Sequence, residues 1–511
     1  MPEVVRQAVA AAQAGELDRA DDLLSDALRQ CPDHPELLAE LAGLRFRQGR
    51  MAEAEVLVTR LVEVDPRAEY GWELLGTLRY LRDDPMGALQ AWTRSGSPLI
   101  RSVEIPVRGP AGPRDDGLEP RTLGVAGLEP GQPLRPEVLI RGTRRLEALP
   151  AASRARVGYV MLPGGEAQVD GALVLMPRFP FSRLKLAEHG ARLLTGSVDL
   201  AFGDLMGHLE RWELSGVREG TLRRGTLALA HPAPADAGVW RWTVEHRVGR
   251  YGTPLHGDER AGEVRRIERS RAGWGHTHWL TARLRGTVRS GVEVRRARGT
   301  YVAGGVGAAA LPLGAWGSMR LDAEGWTRVA RSEGEDPAPT ESRRFGRLEV
   351  EAAVHPAGVG GAGSLPRILA RVGFISVSRG TPADLSPRMG KEGNTRVLMR
   401  AVSDLDADGV VQPRFPGRSW IHGSVEVGRR VARVGPVEIG VAAFSDGVRV
   451  LARGDAGGPG TERRSAIHLG TGVRARLPGV NGRLRLDWAI DPSDGTSALS
   501  AAWVPGTFPV P

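Results

Sequence analysis

The sequence predicts a multidomain chain: an N-terminal all-α helical solenoid, one small α+β domain, and a C-terminal transmembrane antiparallel β-barrel of about 16 strands. Three observations predict it. A 34-residue interval recurs over residues 1–98. Strand-like and helix-like stretches follow in the order strand, helix, helix, strand, strand between 99 and 178. Runs of alternating apolar and charged residues then fill 179–511.

Composition sets the frame for these parts. Hydrophobic residues are 41% and charged residues 25% of the 511, enough to fold roughly two to four domains. The 68 glycines and 36 prolines mark many turns. Lys+Arg exceed Asp+Glu by 69 to 60, a net charge of +9, and Lys185 and Lys391 are the only lysines. The arginines alternate with apolar residues along strands, and no Lys/Arg block is interleaved with aromatics. A nucleic-acid partner is therefore not expected. The single cysteine, Cys31, excludes an intramolecular disulfide and any cysteine-based metal cluster. No 18 consecutive apolar residues occur, so no transmembrane helix is expected. Residues 1–30 lack the apolar core of a signal peptide, which sits awkwardly with export.

In the first part, Gly15, Gly49 and Asp83 are 34 residues apart, as are Ala20, Ala54 and Ala88, and Leu24, Val58 and Trp92. Pro32 and Pro66, Leu38 and Trp72, and Leu41 and Leu75 keep the same interval. Small residues let paired helices cross closely, and larger ones fill the space between units. The pattern resembles tetratricopeptide repeats, with Ala20, Ala54, Ala88, Trp72 and Trp92 as repeat core. Such arrays bind peptides or partner proteins on a concave face, so a periplasmic protein partner is expected here; a mere spacer is the alternative.

In the second part, RSVEIPVRG (101–109) alternates as a strand with Val103, Ile105 and Val107 on one side. LEPRTLGVAGLEPGQPL (118–134) reads as a short helix and a turn. RPEVLIRGTRRLEAL (135–149) places Val138, Leu139, Leu146 and Leu149 on one helical face, with Gly142 where another element lies close. Two strands then flank PGGE (163–166). This order, with GLEPGQPL before the second helix, resembles a single POTRA domain. That resemblance implies a periplasmic module offering a sheet edge to client strands by β-augmentation.

In the third part no convincing amphipathic helix is expected. In GRLRLDWAI (482–490), Arg483, Arg485 and Asp487 fall on one face; Leu484, Leu486, Trp488 and Ile490 fall on the other. In HLGTGVRARL (468–477), Leu469, Thr471, Val473, Ala475 and Leu477 oppose Gly470, Gly472, Arg474 and Arg476. Alternation alone fits a soluble sheet as well as a barrel. The outward set of Leu, Val, Trp, Thr and Ala suits lipid contact, and the charged set suits a wet lumen. An arginine facing mid-membrane lipid costs roughly 2–4 kcal/mol, so alternation is required of a spanning segment. Ten of the 12 tryptophans lie beyond residue 200.

The same segment resembles the Omp85 superfamily, whose barrels follow POTRA domains and draw an extracellular loop into the lumen. In that family an arginine at the loop tip meets an aspartate in an F-x-D-x-G motif. Here LMRAV (398–402) supplies Arg400, and AAFSDG (442–447) supplies Phe444 and Asp446, with Gly447 one place early. The resemblance implies Arg400–Asp446 as a loop-docking pair, with Phe444, Glu426 and Gly447 as supporting lumen residues. Ala401 and Val402 depart from the family's glycine and aromatic. At the chain end, Phe508 is followed by PVP, where family barrels finish on an aromatic.

The HTH run at His276–His278 is too short for a metal site, and no G-x-S-x-G, P-loop or H-E-x-x-H motif is present. Neither an enzyme nor a cofactor is expected. The expected domains are 1–98, 99–178 and 179–511. The resemblance implies insertion or translocation of polypeptide clients at the bacterial outer membrane, in contact with its lipids, with 1–178 in the periplasm. Two alternatives remain: a passive export pore for an anionic polysaccharide, whose arginine-lined lumen would suit the polymer, and a membrane-anchored protein-binding scaffold.

Overall fold

Six helices occupy the first 95 residues: α1 (Pro2–Gln13), α2 (Leu17–Gln30), α3 (Pro35–Arg47), α4 (Met51–Val64), α5 (Glu69–Leu81) and α6 (Pro85–Ser95). This is a computed structural model; it describes every residue except 1, 111, 115–116, 182, 195, 234–237, 253–263, 297–298, 311–316, 331–342, 355–366, 380, 392–396, 413–414, 453–464, 477–481 and 506–511. Phe508 and the closing PVP lie outside the described residues.

The 34-residue interval has a backbone cause. Gly15, Gly49 and Asp83 all take positive φ (85°, 76° and 64°) at the turn inside each helix pair. Two of the three are glycine because that region penalises a Cβ. Pro35 and Pro85 open their helices at the first turn, where a missing N–H costs nothing. Ala20, Ala54 and Ala88 are fully buried where helices cross, and Trp92 is buried beside them. Trp72 is half-buried, with its indole N–H donated to the Pro66 carbonyl at 3.0 Å. A Cβ on Gly76 would overlap the Trp92 indole. Gly76→Val is therefore expected to cost about 1–3 kcal/mol. Its readout is a lower melting temperature of the 222 nm helical signal in the intact chain.

The small α+β part comprises β1 (Leu99–Glu104), β2 (Val107–Gly109), β3 (Gly112–Pro113), α7 (Glu119–Ala126), α8 (Pro136–Glu147), β4 (Ala152–Met161) and β5 (Glu166–Leu175). Its strand order is β1-β5-β2-β3, with β4 also on β5, and β1 runs parallel to β5. The single strand expected over 101–109 is two, divided at Pro106, which has no N–H to give a ladder. A Cβ on Gly142 would stand 3.0 Å from the Leu128 side chain, so α8 does need a glycine there for close approach.

The chain divides into two compact units, one of Met1–Val107, Glu119–Thr143 and Ala155–Leu173, the other of Arg108–Leu118, Arg144–Arg154 and Val174–Pro511. Within the first, the Tyr159 hydroxyl donates to the Pro85 carbonyl at 2.7 Å and its ring lies 5.8 Å from Tyr80. Burial raises the Tyr159 pKa, so the donor proton is kept. The last helix of the repeats thus packs directly on β4.

The second unit opens with α9 (Arg183–Leu194) and continues through β6 (Ser197–Gly203), β7 (Arg211–Glu219), β8 (Leu222–Pro232), β9 (Val239–Gly252), β10 (Val264–Trp279), β11 (Leu284–Arg295) and β12 (Gly299–Ala310). Then come β13 (Gly317–Ala330), β14 (Arg344–Val354), β15 (Arg367–Val377), the two-residue strands β16 (Met389–Gly390) and β17 (Val397–Leu398), β18 (Ser419–Val434), β19 (Val437–Ala452), β20 (Ser465–Arg476), β21 (Gly482–Ile490) and β22 (Ser497–Pro505). All but β16 and β17 form one 15-stranded sheet in sequence order from β6 to β22, each neighbour antiparallel.

The α9 helix corrects the expectation that 179–511 holds no amphipathic helix. Glu188 and Arg192, one turn apart, and the stop at Gly196 (φ 73°) were its signals; Gly190 and its shortness masked them. Fifteen strands are described, where about 16 were expected.

Burial along this sheet is inverted relative to a soluble one. In β21, Leu486 and Trp488 are each 49% exposed, whereas Arg485 and Asp487 are 6% and 2% exposed. Leu214, Leu227 and Val244 are direct partners across β7, β8 and β9, and all three are exposed. The charges of the other face pair with one another, across strands in Arg289–Asp322 (2.6 Å) and Arg271–Glu324 and within β14 in Arg347–Glu349 (2.9 Å). One face is an apolar surface and the other a network of ion pairs.

The sheet is also curled. Laid flat at ~4.8 Å per strand, β6 and β22 would stand roughly 67 Å apart. Yet one side chain, Arg192 of α9, pairs with Asp199 of β6 and lies 5.7 Å from the Trp503 ring of β22. Among the described residues no ladder joins β6 to β22.

Candidate functional site inside the curled sheet

Residues 378–418, between β15 and β18, supply the side chains that fill the charged interior. Their described part is held at three places. At the first, Asp384 accepts from Arg295 of β11 at 2.9 Å and lies 3.4 Å from Arg269 of β10. Leu385 beside it packs on Tyr301, Trp326 and Phe345. At the second, Arg388 donates twice to Asp404 (2.6 and 2.8 Å) and once to Glu219 of β7 (2.6 Å). Nearby, the carbonyl of Gly409 accepts from Thr221, and Val411 exchanges backbone hydrogen bonds with Arg250 and Gly252 at 2.9 Å. At the third, Arg400 enters β18–β21. A loop that meets β7, β11 and β21 crosses the interior from wall to wall.

The Arg400 centre is built from inward residues on four consecutive strands. The Arg400 guanidinium lies 3.3 Å from Asp446 of β19, 3.1 Å from Glu426 of β18 and 3.6 Å from Asp487 of β21. Its backbone N–H also donates to Asp446 at 3.3 Å. The guanidinium carbon stacks 3.6 Å above the Phe444 ring, a cation–π contact with water excluded. Arg474 of β20 bridges Glu426 and Asp487 at 2.8 and 2.5 Å, and Arg485 pairs with Asp487 at 2.9 Å. Three carboxylates are thus matched by three buried guanidinium groups, with the more exposed Arg483 a fourth at 3.6 Å from Glu426, which keeps a buried charge cluster from being left unpaired.

Apolar packing fixes the loop on both sides of that charge. Met389, Val397, Met399 and Phe415 form one cluster with Ile375, Trp420, Val448 and Ala466. Ala401 is buried against Phe444 and Ala489, and its N–H donates to His468 Nδ1 at 3.1 Å. The departure from the family's glycine therefore has a place: the methyl fills a pocket lined by a ring and another methyl. Val402 packs on the neighbouring cluster.

The structure places Arg400, Asp446, Phe444 and Glu426 together. Gly447 is elsewhere: with Asp446 inward, the alternation of β19 sends Gly447 to the outer face, where an added Cβ would meet the Ala466 carbonyl oxygen at an ordinary 3.8 Å. It supports no lumen contact. Sequence reasoning set Arg474, Arg485 and Asp487 on the lumen face without joining them to Arg400, and it missed His468, Asp384, Arg388 and Asp404. A signal for part of this set existed in HLGTGVRARL. A Cβ on Gly470 would collide with the Phe444 ring, and one on Gly472 with the Asp487 carboxylate. Two inward glycines on one strand mark room cleared for neighbouring side chains. Among the described residues, no group of three His, Cys, Asp or Glu is placed to hold a metal ion, and no helix is long and apolar enough to cross a membrane.

The tetratricopeptide repeat family matches residues 11–78. No curated protein matches the chain in sequence. The chain is similar in structure to BamA from Haemophilus ducreyi lacking POTRA domains 1-3, at 9% identity and TM-score 0.45 over 79% of this chain and 84% of that one. It is similar to CdiB from Escherichia coli at 14% identity and TM-score 0.49, over 79% and 75%. Both are Omp85-superfamily barrels. The Sgt2 TPR domain from Aspergillus fumigatus is similar at 26% identity and TM-score 0.18, over 18% of this chain and 62% of its own. Residues 11–78 are thus tetratricopeptide repeats, and the chain carries them ahead of a curled, 15-stranded antiparallel sheet.

Proposed function

We propose that this chain is an Omp85-like barrel of the bacterial outer membrane that inserts or translocates polypeptides, with residues 1–178 in the periplasm. The observation that carries the reading is the loop 378–418 crossing the charged interior and seating Arg400 on Asp446, Glu426 and Phe444. The domains are 1–98, tetratricopeptide repeats that capture a client or accessory protein; 99–178, a POTRA-like module; and 179–511, the barrel. Because β4 pairs with β5 alone among the described residues, it offers a sheet edge to an extended client strand. No nucleotide chemistry is invoked, since client folding in the bilayer supplies the free energy.

The passive polysaccharide pore fits less well. Its attraction was an arginine-lined lumen, but many interior arginines are neutralised by partners, and a loop occupies the interior. The test is reconstitution of the full chain in liposomes with an unfolded outer-membrane β-barrel as client. The expected result is faster client folding than in protein-free liposomes, with small, intermittent conductance in planar bilayers. A wide, steady, anion-selective conductance with no effect on the client would reject the proposal.

A further inference from the structure

The two edges of the sheet are where a spanning wall is weakest. Backbone N–H and C=O groups left unpaired in hydrocarbon cost several kcal/mol each, so a barrel normally zips its first strand to its last. Here β6 and β22 share no ladder among the described residues. One side chain of α9, Arg192, touches both.

The course of α9 follows β6 in reverse. Just before the helix, Phe179 and Phe181 rest against Phe202 near the C-terminal end of β6, with ring centroids 6.3 and 6.4 Å away. Toward its end, Arg192 pairs with Asp199 in mid-strand. The chain then turns at Gly196, whose carbonyl accepts from Arg218 at 2.7 Å, and descends as β6. The 12 residues of α9 span about 18 Å, close to the ~20 Å covered by β6. On its other side, Arg192 reaches Trp503 of β22. A helix about 10 Å wide takes roughly the width of two strand spacings.

Its two faces match the wall. Leu186 and Leu193, two turns apart, are 54% and 63% exposed, as are the lipid-side residues of the neighbouring strands. Glu188 is 2% exposed and accepts from Arg192 at 2.6 Å. Among its described side chains, the helix places Leu186 and Leu193 on one face and the Glu188–Arg192 ion pair on the opposite one, as each strand beside it alternates.

We propose that α9 is a helical stave closing the seam between β6 and β22, and that it is the element an incoming client strand displaces. The second half rests on the insertion function proposed above. The physical reason is the difference between a helix and a strand. A strand in this place would bind both edges through a full ladder. A helix satisfies its own backbone, so it is held at the seam by side chains, with Arg192 touching Glu188, Asp199 and Trp503 together. Among the described residues no backbone ladder holds it there, so withdrawing it bares two strand edges for pairing.

The test uses the full chain in a bilayer, with Cys31→Ser as background. Spin labels at Leu186→Cys and Leu193→Cys are expected to collide with oxygen more than with a water-soluble nickel chelate, as a label at Leu214→Cys does, while Ser215→Cys shows the reverse. If both α9 labels behave like Ser215→Cys, the stave is rejected. A second arm joins Arg192→Cys to Trp503→Cys through a cleavable bismaleimide. Cross-linking is expected, with loss of client insertion and its recovery on cleavage. Failure to cross-link rejects the seam position, and undiminished insertion by the linked chain rejects displacement. No insertion by the unlinked chain rejects the insertion function and the displacement step with it, whereas the label profile still decides the stave.

Discussion

Arg400→Ala is expected to destabilise the folded sheet by about 3–5 kcal/mol and to free residues 378–418 from the interior. The magnitude comes from what is left behind. Asp446 and Asp487 are buried, Glu426 is mostly so, and all three face the Arg400 guanidinium. Arg474 and Arg485 still serve Glu426 and Asp487, but Asp446 loses both its charge partner and the geometry that holds the Arg400 N–H against it. The Phe444 ring also loses the cation stacked on it. The measurement is the temperature at which the folded form converts to the slow-migrating form on a gel, together with protease cleavage within 378–418. Arg400→Lys keeps the charge and loses the planar fork, so it is expected to fall between wild type and alanine. Cleavage unchanged from wild type in Arg400→Ala would show that the other two anchors hold the loop alone.

Leu486→Arg is expected to cost about 2–4 kcal/mol in a bilayer. Leu486 is exposed on the outer face of β21, beside Val473 of β20 and Ala501 of β22. In a soluble sheet an exposed leucine tolerates arginine with little loss. In lipid the guanidinium must drag water in or snorkel away. The comparison that isolates the effect is Arg→Leu at the exposed, water-side Arg296, expected to change little. Folding yield and urea midpoint in liposomes provide the readout. Equal effects at the two sites would mean that the apolar face does not touch hydrocarbon.

How much of this was legible in the sequence depends on the range of the interaction. The helical repeats declare themselves because one local constraint recurs: Gly15, Gly49 and Asp83 turn the chain with positive φ at a fixed interval. The strands declare themselves because burial alternates with the pleat, and β21 shows it with Arg485 and Asp487 inward and Leu486 and Trp488 outward. Arg400 and Asp446 were found through their motif context, not through any period. Asp384 was invisible: its partners Arg269 and Arg295 lie some 90 to 115 residues earlier and leave no local pattern. Arg388 and Glu219 are separated by 169 residues. Gly447 was assigned to the interior by its motif, yet its neighbour Asp446 already faces there, so the period of two sends it outward. The α9 helix was hidden because its length equals that of a strand with its turn, and strands surround it.

The central claim is that the exposed apolar face of the sheet lies against lipid chains, and tryptophan fluorescence tests it most directly. Trp242 and Trp488 are both about half exposed on that face. In vesicles of brominated-chain lipid, the folded protein is predicted to show strong quenching, much of which disappears in Trp242→Phe/Trp488→Phe. Emission indifferent to bromine, or quenching left untouched by the double replacement, would contradict the account.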